Sequence, residues 1–354
     1  MKIAFLSFYS GLTFRGAETF VDALALRLAK KHSVSVFQIG KKQADKTYNQ
    51  YVVESNYREK PINPTGILRK IFLDYHYRHI FTFTLQVLPI LNKETPDIVV
   101  PVNGSWQTLL VKLFTNISVV VSGQAGLGWD ERWNLLCKPD LFIALTNRNA
   151  IWVRTVAPQQ KVEVIPNGVD LSLYKKTGDK SKKVKLKKPV ILCVAGGEKY
   201  KRIDATINAA KLLPNASLLV VGGSSETEKY GKRLLGDRFQ QLKVSQNQMP
   251  GIYRTADVFT LISEANEAFG IAYLEAMATG LAIVAPDDEQ RREIIGKAGL
   301  YVKEPLNSQD YASKLEKALE TKWRSIPRKQ AENFDWDTIA SQYEKVFSNL
   351  LAQK

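Results

Sequence analysis

One rhythm runs twice through this chain: a short apolar run, then a stretch of helical period, then another apolar run. Before residue 175 the apolar runs are Lys2–Phe8, Val34–Ile39, Asp97–Val102, Ser118–Ser122, Leu141–Leu145 and Val162–Ile165. The clearest helical stretch between them is Ala17–Lys31, with Phe20, Val21, Leu24 and Leu28 on one face. After residue 188 the rhythm restarts with strands at Pro189–Val194, Ser217–Val221, Asp257–Ile262 and Leu281–Ala285 and helices at Ile203–Leu213 and Ile271–Thr279. Strands that short, alternating with helices, build parallel sheets covered by helices, an α/β fold class.

Two halves of similar size predict two Rossmann-like α/β/α domains facing a central cleft. The expected bounds are 1–174 for the first and 189–335 for the second. Between them, residues 175–188 carry eight lysines and one acid, Asp179, and read as a linker. The last segment places Trp336, Ile339, Tyr343, Val346 and Phe347 on one helical face, so 336–354 is expected to return to the first domain. The chain's 354 residues suffice for two such domains. Its two cysteines, Cys137 and Cys193, form neither a disulfide framework nor a metal-ligand spacing. The opening MKIAFLSFY reads as a buried strand rather than a signal peptide, and no charge-free apolar run reaches 18 residues. A cytoplasmic location is expected. The formal net charge of +15 calls for an anionic partner, whether nucleic acid, membrane surface or phosphorylated ligand. No nucleic-acid-binding module is recognisable, which ranks that class last.

The richest chemistry lies in Ser263–Gly280. Glu267 and Glu275 flank an Ala-Phe-Gly-Ile turn between a strand and a helix. The first N–H groups of a helix have no intrahelical partner and attract anions, so Phe269, Gly270 and Ile271 would present backbone donors to a phosphate. Gly270 allows close backbone approach. A carboxylate on either side suits hydroxyl groups, and a nucleotide sugar combines hydroxyls with phosphates.

These two glutamates, followed by Glu-Ala-Met-Ala-Thr-Gly (275–280), resemble the signature of family 4 glycosyltransferases, retaining enzymes of the GT-B fold. The resemblance extends over nearly the whole chain, in order: Arg15–Phe37, Val164–Tyr174 with its Asn-Gly-Val-Asp, Glu198–Asp204, Met249–Phe259 and the terminal Phe-Asp-Trp helix. It implies transfer of a hexosyl group from a UDP- or GDP-linked sugar to a glycan or lipid-linked acceptor, with no further cofactor. Glu267 and Lys201 would then be catalytic. Glu275 would hold the ribose, Arg202 would join Lys201 on the diphosphate, and Gly16, Phe269, Gly270 and Ile271 would line the donor site.

The chain departs from that pattern in two places. Gly196 stands where many members have an arginine, five residues before the loop lysine. The segment Ser122–Asp130 lacks the histidine that many members place near the sugar, leaving Gln124 as a candidate acceptor-side group. None of the three histidines, His32, His76 and His79, lies in a motif, so no histidine general base is expected. Asp335 and Asp337 have the spacing of a metal-binding pair but sit on the terminal helix, and no metal site is expected. The glycine pattern of nicotinamide-binding folds is missing. Residues 57–89 mix Arg58, Lys60, Arg69, Lys70 and Arg78 with aromatic and aliphatic groups, which raises docking on an anionic membrane. Alternatives are a GT-B-shaped epimerase, a non-catalytic sugar-nucleotide binder and, least supported, a basic nucleic-acid-binding protein.

Overall fold

The computed structural model describes residues 1–13, 15–59, 66–265 and 267–353. The chain divides into two compact units. One comprises Met1–Asn167 with the helix Trp336–Ala352, and the other Gly168–Asp335.

Among its described residues the first unit holds a seven-stranded parallel sheet: β1 (Lys2–Leu6), β2 (Ser33–Gln38), β3 (Asn49–Val52), β4 (Ile98–Pro101), β5 (Ser118–Ser122), β6 (Leu141–Ala144) and β7 (Val162–Val164). Their spatial order is β3-β2-β1-β4-β5-β6-β7, every pair parallel. Alternating side chains of β1 build two cores. Ala4 and Leu6 join Phe83, Val87 and Leu91 of the helix Tyr75–Glu94 on one face. Ile3 and Phe5 join the helix Gly16–Leu28 on the other.

The terminal helix completes that second face. Its Trp336, Ile339, Tyr343, Phe347 and Leu350 are buried in the same cluster as Phe20, Val21, Leu24 and Leu28. Two polar links fix its position: the Tyr343 hydroxyl and Ser122 Oγ lie 3.0 Å apart, and Arg27 Nε donates to Asp337 at 2.8 Å. Asp337, one of the two acids with metal-like spacing, is thus engaged by an arginine.

The second unit holds a six-stranded sheet among its described residues: β8 (Val190–Gly196), β9 (Ser217–Gly223), β10 (Phe239–Leu242), β11 (Val258–Thr260), β12 (Ala282–Pro286) and β13 (Gly299–Val302). The order is β10-β9-β8-β11-β12-β13, again all parallel. Strand order therefore reverses between β8 and β11. In an open doubly wound sheet, loops leaving the carboxyl ends on either side of such a reversal diverge and leave a crevice.

Residues 175–188, expected as a linker, lie within the second unit and are bonded to it. Ser181 N–H donates to the Gly251 carbonyl, Lys185 N–H to Gln240, and Lys188 Nζ to Asp257. The unit boundary falls at Asn167/Gly168 rather than at residue 174. The strands β3, β10 and β13 have no counterpart among the sequence-based elements. All three lie at sheet edges, where one flank is free and a continuous apolar run is not required.

Candidate active site

Three neighbouring strands deliver the site in the second unit. The loop after β8 carries Lys201 and Arg202, the loop after β11 carries Glu267 to Gly270, and the loop after β12 carries Asp287 and Asp288. The first two flank the strand-order reversal.

Lys201 and Glu267 meet there. Nζ donates to Oε2 at 2.5 Å, with only 14% and 11% of the two side chains exposed. Burial pulls the Lys201 ammonium down, but the adjacent Glu267 carboxylate outweighs it, and the net shift is upward. The lysine is therefore a cation throughout the neutral range. Its Nζ also lies 4.9 Å from the centre of the Tyr200 ring. A charge pair this sheltered gives little net stability, because desolvation offsets most of the attraction. A sheltered pair in a crevice marks a candidate functional site.

The backbone around this pair is locked from behind. Arg202 adopts a left-handed conformation (φ 52°) that turns the chain from the loop into the helix Ile203–Lys211, and its Nη2 lies 3.4 Å from Glu264. The guanidinium of Arg291 is wholly buried. It donates to Asp288 at 2.9 Å, to Ser263 Oγ at 3.0 Å and to the Glu264 carbonyl at 2.8 Å. Gln290, also buried, donates to the carbonyls of Glu267 at 2.9 Å and Ala268 at 3.2 Å. Two polar side chains of one short helix thus hold both ends of the loop that presents Glu267. Neither was legible beforehand: in Asp-Glu-Gln-Arg-Arg, a charged residue inside the fold has the same sequence appearance as its solvated neighbours.

Gly270 begins the helix Ile271–Ala278 with φ 89°, and a Cβ there would stand 2.6 Å from the Tyr273 ring. Both facts require glycine. The Tyr273 ring is held in place by its hydroxyl, which donates to the Leu261 carbonyl at 2.6 Å. Phe269 turns its side chain into the core against Phe334, ring centres 6.2 Å apart, so only its backbone faces the turn. Glu275 lies on the same helix, partly buried, and accepts from the Tyr253 hydroxyl at 2.6 Å. Burial pushes its carboxyl above the usual range, and the Tyr253 bond opposes the shift. The structure thus joins Lys201 to Glu267 and Arg202 to Glu264, and gives Glu275 a separate tyrosine partner.

At Gly196 a Cβ would come 2.1 Å from Glu198 Oε2. The space that an arginine side chain would enter is occupied by an exposed carboxylate. Asp287 is bonded to Arg292 at 2.5 and 2.9 Å, and Asp288 caps the helix Glu289–Ile295. Among the described residues no cluster of His, Cys, Asp or Glu has the makings of a metal site.

Two expected site residues belong to the first unit. Gly16 is the first residue of the helix Gly16–Leu28. Gln124 follows β5, and both ends of its amide are engaged: Nε2 donates to Ser122 Oγ and Asn167 Oδ1, and Oε1 accepts from Asn167 Nδ2, each at 3.0 Å. The following loop is anchored by Glu131, a buried acid that accepts from Ala125 N–H at 3.0 Å and Asn134 at 2.9 Å. Burial pushes the Glu131 carboxyl up to about 7, against the lowering effect of those two bonds. Of the residues between 57 and 89, Phe72, Tyr77 and Phe83 are buried, whereas Ile67, Leu68 and Ile71 are exposed. Lys60 lies outside the described residues.

The two open parallel sheets and the charged loops at the reversal define a two-domain α/β protein with a charged crevice in its second unit. Comparison with known proteins gives it a family. Residues 14–173 match the Glycosyltransferase Family 4 profile, and residues 175–335 match Glycosyl transferases group 1. The chain belongs to this family of GT-B glycosyltransferases. It is 26% identical over 220 residues to the lipopolysaccharide 1,2-N-acetylglucosaminetransferase of Salmonella typhimurium, covering 54% of this chain and 58% of that protein. The match thus spans rather more than half the length of that relative. Among solved structures it resembles sucrose-phosphate synthase of Thermosynechococcus elongatus (TM-score 0.80, 19% identity, all of both chains covered). It also resembles the Anabaena HepE protein in complex with UDP-glucose (TM-score 0.76, 19% identity, 99% of this chain and all of that one covered). At such identities the structural likeness carries the fold. Among the described residues, no helix is long and apolar enough to cross a membrane.

Proposed function

We propose that this protein moves a hexosyl group from a nucleotide-diphosphate sugar to a glycan or lipid-linked acceptor, retaining the configuration of the sugar and using no metal ion. The observation that carries the reading is the Lys201–Glu267 pair, sheltered at the strand-order reversal beside a glycine-started helix. Family membership supports the reaction class. UDP-glucose on a protein of the same fold supports a nucleotide-sugar donor, and the lipopolysaccharide relative supports a lipid-linked acceptor.

Each residue then has a physical task. As the bond from sugar to phosphate breaks, negative charge gathers on the diphosphate, and Lys201 with Arg202 stabilises it. A fixed cation aimed at developing charge lowers a barrier without reorganising. Lys201 has three donor hydrogens, so it can keep Glu267 while engaging phosphate oxygens. Glu267, held through the Gln290 bonds, accepts from a hydroxyl of the sugar. Glu275 accepts from the ribose, keeping Tyr253 on its other oxygen. With both charges supplied by side chains, positioning and electrostatics do most of the work, which suits a reaction on one face of the sugar in which a donor phosphate oxygen takes the acceptor proton. A lipid-linked acceptor brings the protein to the cytoplasmic face of a membrane, where a charge of +15 is favourable.

Two measurements test this reading. In a thermal-shift panel of nucleoside diphosphates and their sugars, one base should stand out, since a ligand at about 100 times its Kd adds about 2.7 kcal/mol. With that donor, Glu267→Gln should lower turnover by roughly 100- to 1,000-fold while leaving nucleotide binding within a few-fold. Full turnover in Glu267→Gln would remove the catalytic assignment.

A further inference from the structure

The helix Trp129–Leu136 is amphipathic in the wrong sense for a protein surface. Its inward face buries Glu131 and Asn134 beside Leu135, and these polar groups are satisfied by Ala125 N–H and Thr108. Its outward face, at positions i, i+3, i+4 and i+7, carries Trp129, Arg132, Trp133 and Leu136, all exposed. Trp129 is 54% exposed and Leu136 68%. A second apolar element lies beside it. The turn Ile67–Lys70 exposes Ile67 (77%), Leu68 and, just after it, Ile71. The two are joined through the Trp129 indole, which donates to the Lys70 carbonyl at 2.6 Å, and through Phe72, whose ring centre is 5.4 Å from that of Trp133.

We propose that this face, formed by Ile67, Leu68, Ile71, Trp129, Trp133 and Leu136, seats the protein on the interface of an anionic bilayer. Three observations select a bilayer. The one polar atom of the Trp129 ring is already bonded to the protein, so the ring can enter an apolar layer without losing a hydrogen bond, as tryptophans at membrane interfaces do. The outward charges on both elements are cationic, Lys70 and Arg132. The neighbouring acids are paired within the protein: Asp74 and Asp130 each lie 3.6 Å from Arg69, and Asp130 also accepts from the Tyr77 hydroxyl. An apolar centre with a cationic margin complements lipid chains beneath anionic headgroups. The face is contiguous with the loop Gly123–Gly128 at the carboxyl end of β5, which carries Gln124, so docking here would bring that end of the first unit's sheet against the membrane. The inference rests on the lipid-linked acceptor proposed above and names the surface that would reach it.

The test uses the full chain and vesicles of phosphatidylcholine with or without about one third phosphatidylglycerol, the source of surface charge. The wild type should co-sediment with the anionic vesicles, and added salt should weaken this. The variants Leu136→Ser and Ile67→Ser/Leu68→Ser alter only exposed side chains, and each should lower partitioning at least tenfold at unchanged melting temperature. Lys70→Gln/Arg132→Gln should remove most of the salt dependence. No binding to anionic vesicles, or binding equal in wild type and the serine variants, overturns the proposal. So does a concentration-dependent dimer that these serine variants dissociate, because the face would then be covered by a second copy. Failure here is distinguishable from failure of the catalytic reading: Glu267→Gln should still bind vesicles, and Leu136→Ser should still be stabilised by the donor.

Discussion

Single residues carry the sharpest expectations. In the proposed reading the diphosphate is left to Lys201 and Arg202, and the three atoms nearest to a Cβ at Gly196 all belong to the exposed Glu198 carboxylate, which can swing aside. Gly196→Arg should therefore tighten nucleoside-diphosphate binding by about three- to tenfold, as a partly exposed charge-assisted bond is worth up to about 1.5 kcal/mol. Isothermal titration would show it, and weaker binding would mean that the arginine cannot reach the phosphates. Glu131 gives a pH signature. Its folded carboxyl titrates near 7 against an unperturbed value of 4.5, so the folded state holds the proton more tightly than the unfolded chain. Its contribution to stability is full below about pH 4.5 and is lost as the pH rises through 7. The loss is on the order of 1–3 kcal/mol. Denaturant unfolding at pH 5 and pH 8 should show it in the wild type, and Glu131→Gln should largely flatten the difference.

At the scale of elements, the helix start at Gly270 decides how the site is presented. Its positive φ and the Tyr273 ring 2.6 Å from a would-be Cβ both exclude a side chain. Gly270→Ala should cost roughly 1–3 kcal/mol in unfolding free energy. It should also weaken nucleotide binding, because the chain can relieve the clash only by moving the helix N-terminus or the Tyr273 ring. A variant as stable and as tight-binding as the wild type would show that the turn tolerates a Cβ. The Phe-Gly between the two glutamates was readable as a helix start from residue types alone. That Phe269 faces the core was not, because a phenylalanine beside a glycine suits a ligand surface or a core equally well.

For the whole molecule, the terminal helix joins ends of the chain that lie far apart in sequence. Five of its side chains, Trp336, Ile339, Tyr343, Phe347 and Leu350, are buried against the first unit. At about 2 kcal/mol each, an upper estimate, they contribute on the order of 10 kcal/mol, comparable to the whole stability of a typical domain. A chain ending at residue 335 should therefore leave the first unit unfolded, with calorimetry retaining at most the transition of the second unit. Two transitions as in the full chain would show that the helix is dispensable. The sequence by itself determined the α/β class, the pairing of two similar halves, the amphipathic return helix and the helix start at Gly270. Those features are written in local periodicity and in residue chemistry at short spacing, which neighbouring residues alone express. Only the tertiary structure decided that Lys201 meets Glu267, that Arg291 and Gln290 hold the loop from inside, that the lysine-rich segment lies along the second unit, and that the helix Trp129–Leu136 turns its tryptophans outward. Each of these depends on which face of an element meets which distant neighbour, and that is settled by packing and desolvation across the sheet rather than by the order of residues along the chain.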